Sequence, residues 1–435
     1  MHQLVSLLFL SIFLTHCSRT KNLNQDDSIT LPLSSPLAHI EKLKASSPYA
    51  TSTLTNTAVI TEKIEDSNDF SLSFMRAVVK ADPHTNFVFS PLSLQAAFSL
   101  VEPGVQSSAA INALKKAFHI KPGVTTRQAL HDNLMQLQKR MVESQLIIAN
   151  DIWIDRSLKD QVNMNYLETI QTHFNADLKL VDFINATTQV VTAINDHIKT
   201  NTKGLIPRML NEQDLSKFTR FIITNTLYFK GQWATKFAAP KPADFTTEAG
   251  QVQKVQMLTR QEQSLEYYED AKVQIALKRY SDLNSGMLIF LPKKGHSVSD
   301  IIAMIKDHKN LRSYMGKLKD TPVHLSLPAF DFSYRVPQMD QIIFDLGGKA
   351  LFAENLHIFN NNPVTIDKAI HQAKIIVTEE GTEAAAATAI IGITSIYQPA
   401  DLNYVAMKVD RPALFLLVDT ESSQILFCGK LADPS

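Results

Sequence analysis

The residues able to do covalent or metal chemistry are few and poorly spaced for it. The 435-residue chain has two cysteines, Cys17 and Cys428, and thirteen histidines. It contains no HExxH, CxxC, GxSxG or Walker glycine loop. The histidines show no metal-ligand spacing, so neither metal nor cofactor is expected. His371, just ahead of an apolar run, reads by its type alone as a hydrogen-bonded structural residue. Cys428, inside "ILFCGK", reads as a buried core thiol. Asn185-Ala186-Thr187 is a glycosylation sequon, meaningful only on a eukaryotic secretory route. Only an enzyme site assembled from residues distant in sequence would escape this reading.

A different kind of chemistry, that of backbone pairing, is suggested by "TEEGTEAAAATAIIGITSIYQP", Thr378 to Pro399. Pro363 and Pro399 bracket a stretch without proline, so all of it is permitted in a central strand. At a period of two, Thr382, Ala384, Ala386, Thr388 and Ile390 share one face. Glu383, Ala385, Ala387, Ala389 and Ile391 share the other, and Glu383 is the only charge between Gly381 and Pro399. The first set is small and uncharged, as a strand wedged into a packed sheet requires. Gly381 offers a hinge with access to unusual backbone angles. A short exposed Ala-rich helix is the bland alternative, but it would be marginal in length and lacks Glu–Lys pairs. A low-complexity linker is the other, but Ile390, Ile391, Ile393 and Ile396 are too apolar for it. The pattern favours a segment exposed in one state and inserted in another.

Such a segment needs a sheet to enter, and the rest of the chain supplies strands. Helical periodicity runs from Asp66, with Phe70, Phe74, Ala77 and Val78 on one face. A helix starting at Ser90-Pro91 follows, and helical patterns recur over 107–118, 126–142 and 185–201. Later come β-branched and aromatic runs such as "LIIANDIWID", "FIITNTLYFKG", "MLIFLP", "VHLSLPAFDFSY" and "AKIIVTEE". Helices early and strands late predict an α+β fold with large, mostly antiparallel sheets. Lys plus Arg equals Asp plus Glu, 43 each, which argues against nucleic acid as the partner.

The N-terminus is different in character. Leu4 to Leu14 is an apolar run too short to span a bilayer, and it fits the core of a secretory signal over 1–17. Cys17 follows as "LTHCS", similar to a lipoprotein signal whose cysteine becomes the lipidated N-terminus, although His16 stands where a small residue is expected. A secreted, extracellular protein and a membrane-anchored envelope lipoprotein are both open. Residues 18–66, rich in Ser, Thr, Asn and Pro, read as a disordered linker with an end-to-end distance of roughly 40 Å.

"EEGTEAAAATA" resembles the proximal hinge of the reactive loop in serpins. Other stretches resemble the same family in the same order. They are "NFVFSPLS" (86–93), "FIITNTLYFKGQWATKF" (221–237), "HQAK" (371–374), "VDRPALF" (409–415) and "ILFCGKLADP" (425–434). The resemblance implies a single serpin domain over 67–435, with three β-sheets, eight or nine helices and an exposed reactive loop. It implies a monomer that is not an enzyme. The protein would be a suicide substrate for a protease: the loop is cut, an acyl-enzyme forms, and the loop inserts into the large sheet as a new strand. About 16 inserted residues at roughly 3.3 Å each make that strand near 50 Å long.

Carried over residue by residue, Ser90, Asn225 and His371 match the shutter beneath the opening sheet, and Trp233 matches the breach where the loop first enters. Glu379, Glu380, Gly381, Thr382, Glu383, Ala384, Ala385, Ala386, Ala387 and Thr388 form the hinge. The family's register puts the reactive bond between Ser395 and Ile396, with Thr394 and Tyr397 as neighbouring candidates. Lys and Arg are absent between Lys374 and Lys408, which disfavours a trypsin-like target. Ser395 suggests an elastase-like serine protease and Tyr397 a chymotrypsin-like one; a cysteine protease stays open. A non-inhibitory serpin acting as carrier, chaperone or storage protein is the alternative on the same fold. His197, Thr226 and Gln372 depart from the family's usual residues, and none lies in the hinge.

Overall fold

The structure is a computed structural model that describes residues 41–43, 57–141, 144–174, 176–215, 218–360, 364–366, 369–382 and 403–434. Cys17, the hinge beyond Thr382 and the candidate reactive bond lie outside the described residues. The first half of the chain carries β1 (Glu41–Leu43), α1 (Thr57–Ala81), β2 (Phe87–Phe89), α2 (Pro91–Val101), α3 (Ser108–Phe118), α4 (Val124–Arg140), β3 (Gln145–Asp155), α5 (Met164–Phe174), β4 (Asp177–Val181) and α6 (Thr187–Asn201). Strands then dominate: β5 (Phe221–Gln232), β6 (Lys241–Thr246), β7 (Val252–Glu269), β8 (Val273–Arg279) and β9 (Ser285–Pro292). After α7 (Val298–Met304) and α8 (His308–Met315) come β10 (Lys319–Pro328) and β11 (Phe330–Arg335). The chain continues through α9 (Met339–Asp345), α10 (Lys349–Phe352), β12 (Gln372–Val377), β13 (Gly381–Thr382), β14 (Val405–Lys408), β15 (Ala413–Asp419) and β16 (Ile425–Leu431).

The strands assemble as one sheet in the order β1-β4-β3-β5-β13-β12-β11 and another in the order β14-β10-β7-β8-β9-β15-β16-β2, with β6 also on β7. Counting the two ends of the long β7 separately, its first residues beside β6 and its last beside β8, gives three sheets. Every residue of β9, β15 and β16 is buried. These strands have core on both faces, which is why they read as continuous apolar runs rather than alternating ones. α1 and α2 pack on β16, and the Phe70, Phe74 and Phe89 rings form a chain of contacts between them.

Local signals explain most boundaries. The Ser90 hydroxyl caps α2 by accepting from the Ser93 N–H at 3.1 Å, with Pro91 in the first turn. Ser107 caps α3 in the same way, and the chain leaves that helix through His119 in the left-handed region, φ 52°. Sequence periodicity does not single out β7 or β8. β7 is rich in Gln, Glu, Lys and Arg, and its apolar residues Val255, Met257 and Leu265 become buried only because β6, β10 and β8 flank it. The linker expected over 18–66 is interrupted: residues 41–43 pair antiparallel with β4, and α1 begins at Thr57 rather than near Asp66. Among the described residues the α-helices run to α10, the shortest being the four-residue Lys349–Phe352. Among the described residues no helix is long and apolar enough to cross a membrane.

β15 and β16 approach so closely that a Cβ on Gly429 would lie 2.0 Å from the Phe415 ring. Gly429→Ala is expected to lower stability by about 2 kcal/mol through overpacking, read as a shift in the urea unfolding midpoint.

Candidate functional site

β5 and β12 are the strands on either side of β13 in the first sheet. β5 is paired along its length by β3 on one side, and β12 by β11 on its outer side. Among the described residues the ladder that joins β5 to β12 runs only through β13, where Gly381 pairs with Gln232 and Thr382 pairs with both Gly231 and Val377. The chain reaches this position by a tight turn after β12, closed by the Thr378 N–H donating to the Gly381 carbonyl at 2.9 Å. β13 therefore enters the sheet from the top, antiparallel to both neighbours, and points down the line between them.

The entry point is built from aromatic rings. Trp233, only 2% exposed, donates its indole N–H to the Thr378 carbonyl at 3.0 Å. Its backbone N–H donates to the Glu380 carbonyl at 2.9 Å, and the Phe237 N–H donates to the Glu379 carbonyl at 3.0 Å. Trp233 stacks on Tyr280 with centroids 4.6 Å apart, and Phe229 meets Tyr280 edge-on. The Tyr280 hydroxyl and the Thr382 hydroxyl are 2.6 Å apart in a fully buried hydrogen bond. Burial drives the Tyr280 pKa far up, so that hydroxyl stays protonated. Glu380 forms an ion pair with Lys236 at the surface. Nothing in the sequence pattern pointed to Tyr280; it enters the site from the end of β8, the strand that propensity missed.

The glycine at the root has a plain steric reason. Gly381 is not among the residues with positive φ, so unusual backbone angles are not what it provides here. A Cβ at 381 would lie 2.1 Å from the Gly231 carbonyl oxygen, and a Cβ at 231 would lie 2.7 Å from the Tyr280 ring. The two glycines let two backbones and one ring close on each other. Thr382 faces the core, as do Phe229, Phe221 and Val377 on the flanking strands, which belong to the main hydrophobic cluster.

At the lower end lies the second group of expected residues. The Ser90 N–H donates to His371 Nε2 at 3.1 Å, joining the start of α2 to the residue just before β12. His371 is buried, and burial depresses its pKa to about 4. With Nε2 accepting, the neutral ring carries its proton on Nδ1. Asn225 lies on β5 opposite Asn150 of β3; its side chain is outside the described residues. Close by is a cavity of about 50 Å³, lined by Phe221 and Ile223 of β5, Ala369 and His371 on the opposite side, and Leu94 and Phe98 of α2 beneath. By a cavity cost near 24 cal/mol per Å³, an unfilled space of that size weighs about 1 kcal/mol against the present state.

α6 covers the other face of the sheet here, packing on Trp153, with Ile222 and Ile370 at its margin. It is also held by polar contacts. His197 Nε2 lies 2.6 Å from Asp151 Oδ2, and the same carboxylate pairs with Lys179, which is 1% exposed. His197, one of the residues that depart from the family's usual ones, thus anchors α6 through a hydrogen bond while its ring meets Trp153 edge-on. Among the described residues no cluster of His, Cys, Asp and Glu could hold a metal ion.

Among the described residues, the ladder joining the central strands lies at one end of the sheet, at Gly381 and Thr382, within a mixed α+β fold. The comparisons with known proteins agree in kind. The family model described as "Serpin (serine protease inhibitor)" matches residues 65–434. The chain is 27% identical over 386 residues to leukocyte elastase inhibitor A of Mus musculus, covering 86% of this chain and all of that one. It is 27% identical over 382 residues to the leukocyte elastase inhibitor of Xenopus laevis, covering 84% of this chain and 97% of that one. A serpin-like protein of Thermococcus kodakarensis is 27% identical over 373 residues, 84% of each chain. Among solved structures, the native thermophilic serpin tengpin superposes with a TM-score of 0.76 at 24% identity, covering 90% of this chain and 97% of that one. Thyroxine-binding globulin in complex with thyroxine gives 0.75 at 24% identity, covering 86% and 100%. These last two establish the fold alone. The chain belongs to the serpin family.

Two outcomes follow from the geometry. In a Trp153→Phe background, Gly381→Ala should force β13 out of the sheet and change Trp233 emission, since Trp233 is held by the turn that ends at Gly381. Unchanged emission would contradict the steric account. Secondly, the His371 pKa is lower folded than unfolded, so its contribution is complete above pH 6.5 and is lost as pH falls toward 4. Between pH 7.5 and 4.5 the wild type should lose roughly 2–3 kcal/mol more unfolding free energy than His371→Phe. Equal slopes in urea titrations would refute it.

Proposed function

We propose that this serpin inhibits a protease as a suicide substrate, by insertion of the segment after Thr382 between β5 and β12. The observation that carries this reading is Thr382 itself, buried and paired to both strands at once. Extending its pairing down the sheet, one residue of the segment for each residue of β5, sets Ala384 opposite Phe229 and Thr388 opposite Asn225. On the other side the same count sets Ala386 opposite Ala373 and Thr388 opposite His371. The residues at even positions then continue toward the core, where only small or uncharged side chains are found among them. Glu383 falls on the other face. Small groups enter a packed sheet without forcing it apart, whereas a charge on the core face would be buried unpaired.

Insertion supplies partners to the backbone groups along the inner edges of β5 and β12. Each hydrogen bond formed contributes on the order of 1 kcal/mol net. Summed over a strand that runs the length of β5, this outweighs whatever the segment gives up on leaving the surface. The reaction opens with attack on the bond between Ser395 and Ile396, Thr394 and Tyr397 being the neighbouring candidates. Cleavage frees the upstream segment to move while the acyl-enzyme holds the protease to it. Absence of Lys and Arg near this bond favours an elastase- or chymotrypsin-like serine protease. The relatives named as elastase inhibitors support the same choice.

Incubated with an elastase- or chymotrypsin-like protease, the protein is expected to give a complex that survives SDS and boiling. Mass spectrometry of the released fragment should place the cut after Ser395. Thr382→Arg is expected to convert the inhibitor into a plain substrate, with complex yield falling at least about tenfold, because the guanidinium would be buried beside Tyr280. Cleaved chain with fully active protease from the wild type would refute inhibition and leave the non-inhibitory alternative. Undiminished trapping by Thr382→Arg would refute the facing.

A further inference from the structure

Two tyrosines away from the central line hold a cation between them. Tyr268, near the end of β7, and Tyr314, near the end of α8, have ring centroids 6.4 Å apart and planes tilted by 54°. Lys317, in the turn after α8, places its ammonium 5.3 Å from the Tyr268 centroid and 4.9 Å from that of Tyr314. The Tyr268 hydroxyl lies 3.5 Å from Asp270 Oδ2. Asp270 Oδ1 accepts the Lys272 and Val273 N–H groups at 2.8 and 3.1 Å, which fixes the carboxylate in place. Ring faces backed by a carboxylate are what recognises an ammonium whose charge is spread over methyl groups. The occupant here is the chain's own Lys317, which is exposed and makes no ion pair among the described residues. An exposed lysine on a flexible four-carbon stem is free to swing out.

Tyr314 and Asp270 also line an open cleft of about 530 Å³, together with Met304, Lys272 and Lys306. Lys272 and Lys306 are exposed, and neither makes an ion pair among the described residues. A bare cation entering the cleft would meet two like charges, and a bare anion would meet Asp270. A ligand carrying both charges on a short link sets each against its opposite. We propose that this cleft binds a zwitterion of the phosphocholine type. The trimethylammonium group takes the place of the Lys317 ammonium between Tyr268 and Tyr314, and the phosphate lies on Lys272 and Lys306. Lys317 is then a built-in competitor: the site is open only in the fraction of molecules whose lysine has left the rings, and the apparent affinity is lowered by that fraction. Free phosphocholine and the headgroup of a phosphatidylcholine bilayer present the same chemistry to it. Neither strand insertion nor protease trapping enters this proposal.

The test is calorimetric titration of the full chain with phosphocholine, choline and inorganic phosphate in turn. Phosphocholine is expected to bind saturably with a Kd on the order of 1 mM or tighter, and choline or phosphate alone at least about tenfold more weakly. Tyr314→Leu, which keeps an apolar side chain but removes the ring, should weaken phosphocholine about tenfold. The double change Lys272→Gln and Lys306→Gln should weaken it about fivefold and leave choline no weaker than before. The decisive variant is Lys317→Ala, which should tighten phosphocholine about threefold or more by emptying the place between the rings. A lysine that merely packs on two tyrosines would give no such gain, and a misfolded variant could not. Vesicles of phosphatidylcholine separate the two sources. Co-sedimentation strengthened by Lys317→Ala assigns the bilayer headgroup, and binding of soluble phosphocholine without co-sedimentation assigns the free molecule; either upholds the site. Absence of saturable phosphocholine binding, or equal affinities of the wild type and Lys317→Ala, would overturn it.

Discussion

The structure depends on an unfinished pairing. Backbone N–H and C=O groups inside a sheet need partners, and an edge left without them is a standing template for another strand. β5 and β12 each satisfy one edge with a neighbour, and among the described residues their facing edges are joined only by Gly381 and Thr382. The top is kept by rings and glycines that allow close approach. Below, the Ser90 N–H donates to the buried imidazole of His371, tying the start of α2 to the residue before β12 across two segments far apart in the chain.

Two faces of the sheet play unequal parts. On the core face, β5 and β12 present Phe221, Phe229, Ile375 and Val377 to the main cluster, and any entering strand must match that apolar floor. On the other face, α6 lies over Trp153 and reaches Ile222 and Ile370, one from each side of the line. α6 is fixed there by Asp151, which accepts contacts from both Lys179 and His197. A buried carboxylate shared between two partners is costly to leave half-satisfied. The helix is thereby tied to β3 and β4, the strands on the β5 side, rather than to β12.

The proposed insertion requires a starting state that is not the best-packed one available to the chain. The cavity beside His371 is a visible part of that cost, since tightly packed interiors rarely leave apolar space unfilled. The buried Tyr280–Thr382 hydrogen bond acts in the opposite sense, rewarding a partial entry at the top. In the proposed insertion, a hydrogen-bonded entry at the top and an unfilled foot act in opposite senses, and both ends are assembled from residues whose chemistry is ordinary.

Much of this was legible in the sequence by itself. The proline-free run, the even-position set of small residues and the lone Glu383 follow from strand periodicity, which needs no tertiary information. The caps at Ser90 and Ser107 and the strands β3, β5, β9 and β12 follow from propensity and punctuation. The shutter and breach positions came from resemblance, because no local signal distinguishes His371 from any other histidine before an apolar run. Tertiary structure alone decided the rest. β7 is a strand because neighbours bury its alternate residues, although its polar composition argues otherwise. Tyr280 joins the entry point only through that same assembly. Gly381 is needed for the nearness of another backbone oxygen, not for its torsion freedom, and that nearness exists only once two distant strands have closed. Periodicity is a property of adjacent residues, whereas contact is a property of the folded whole; the sequence determined which segment could enter the sheet, and the fold determined where and against what.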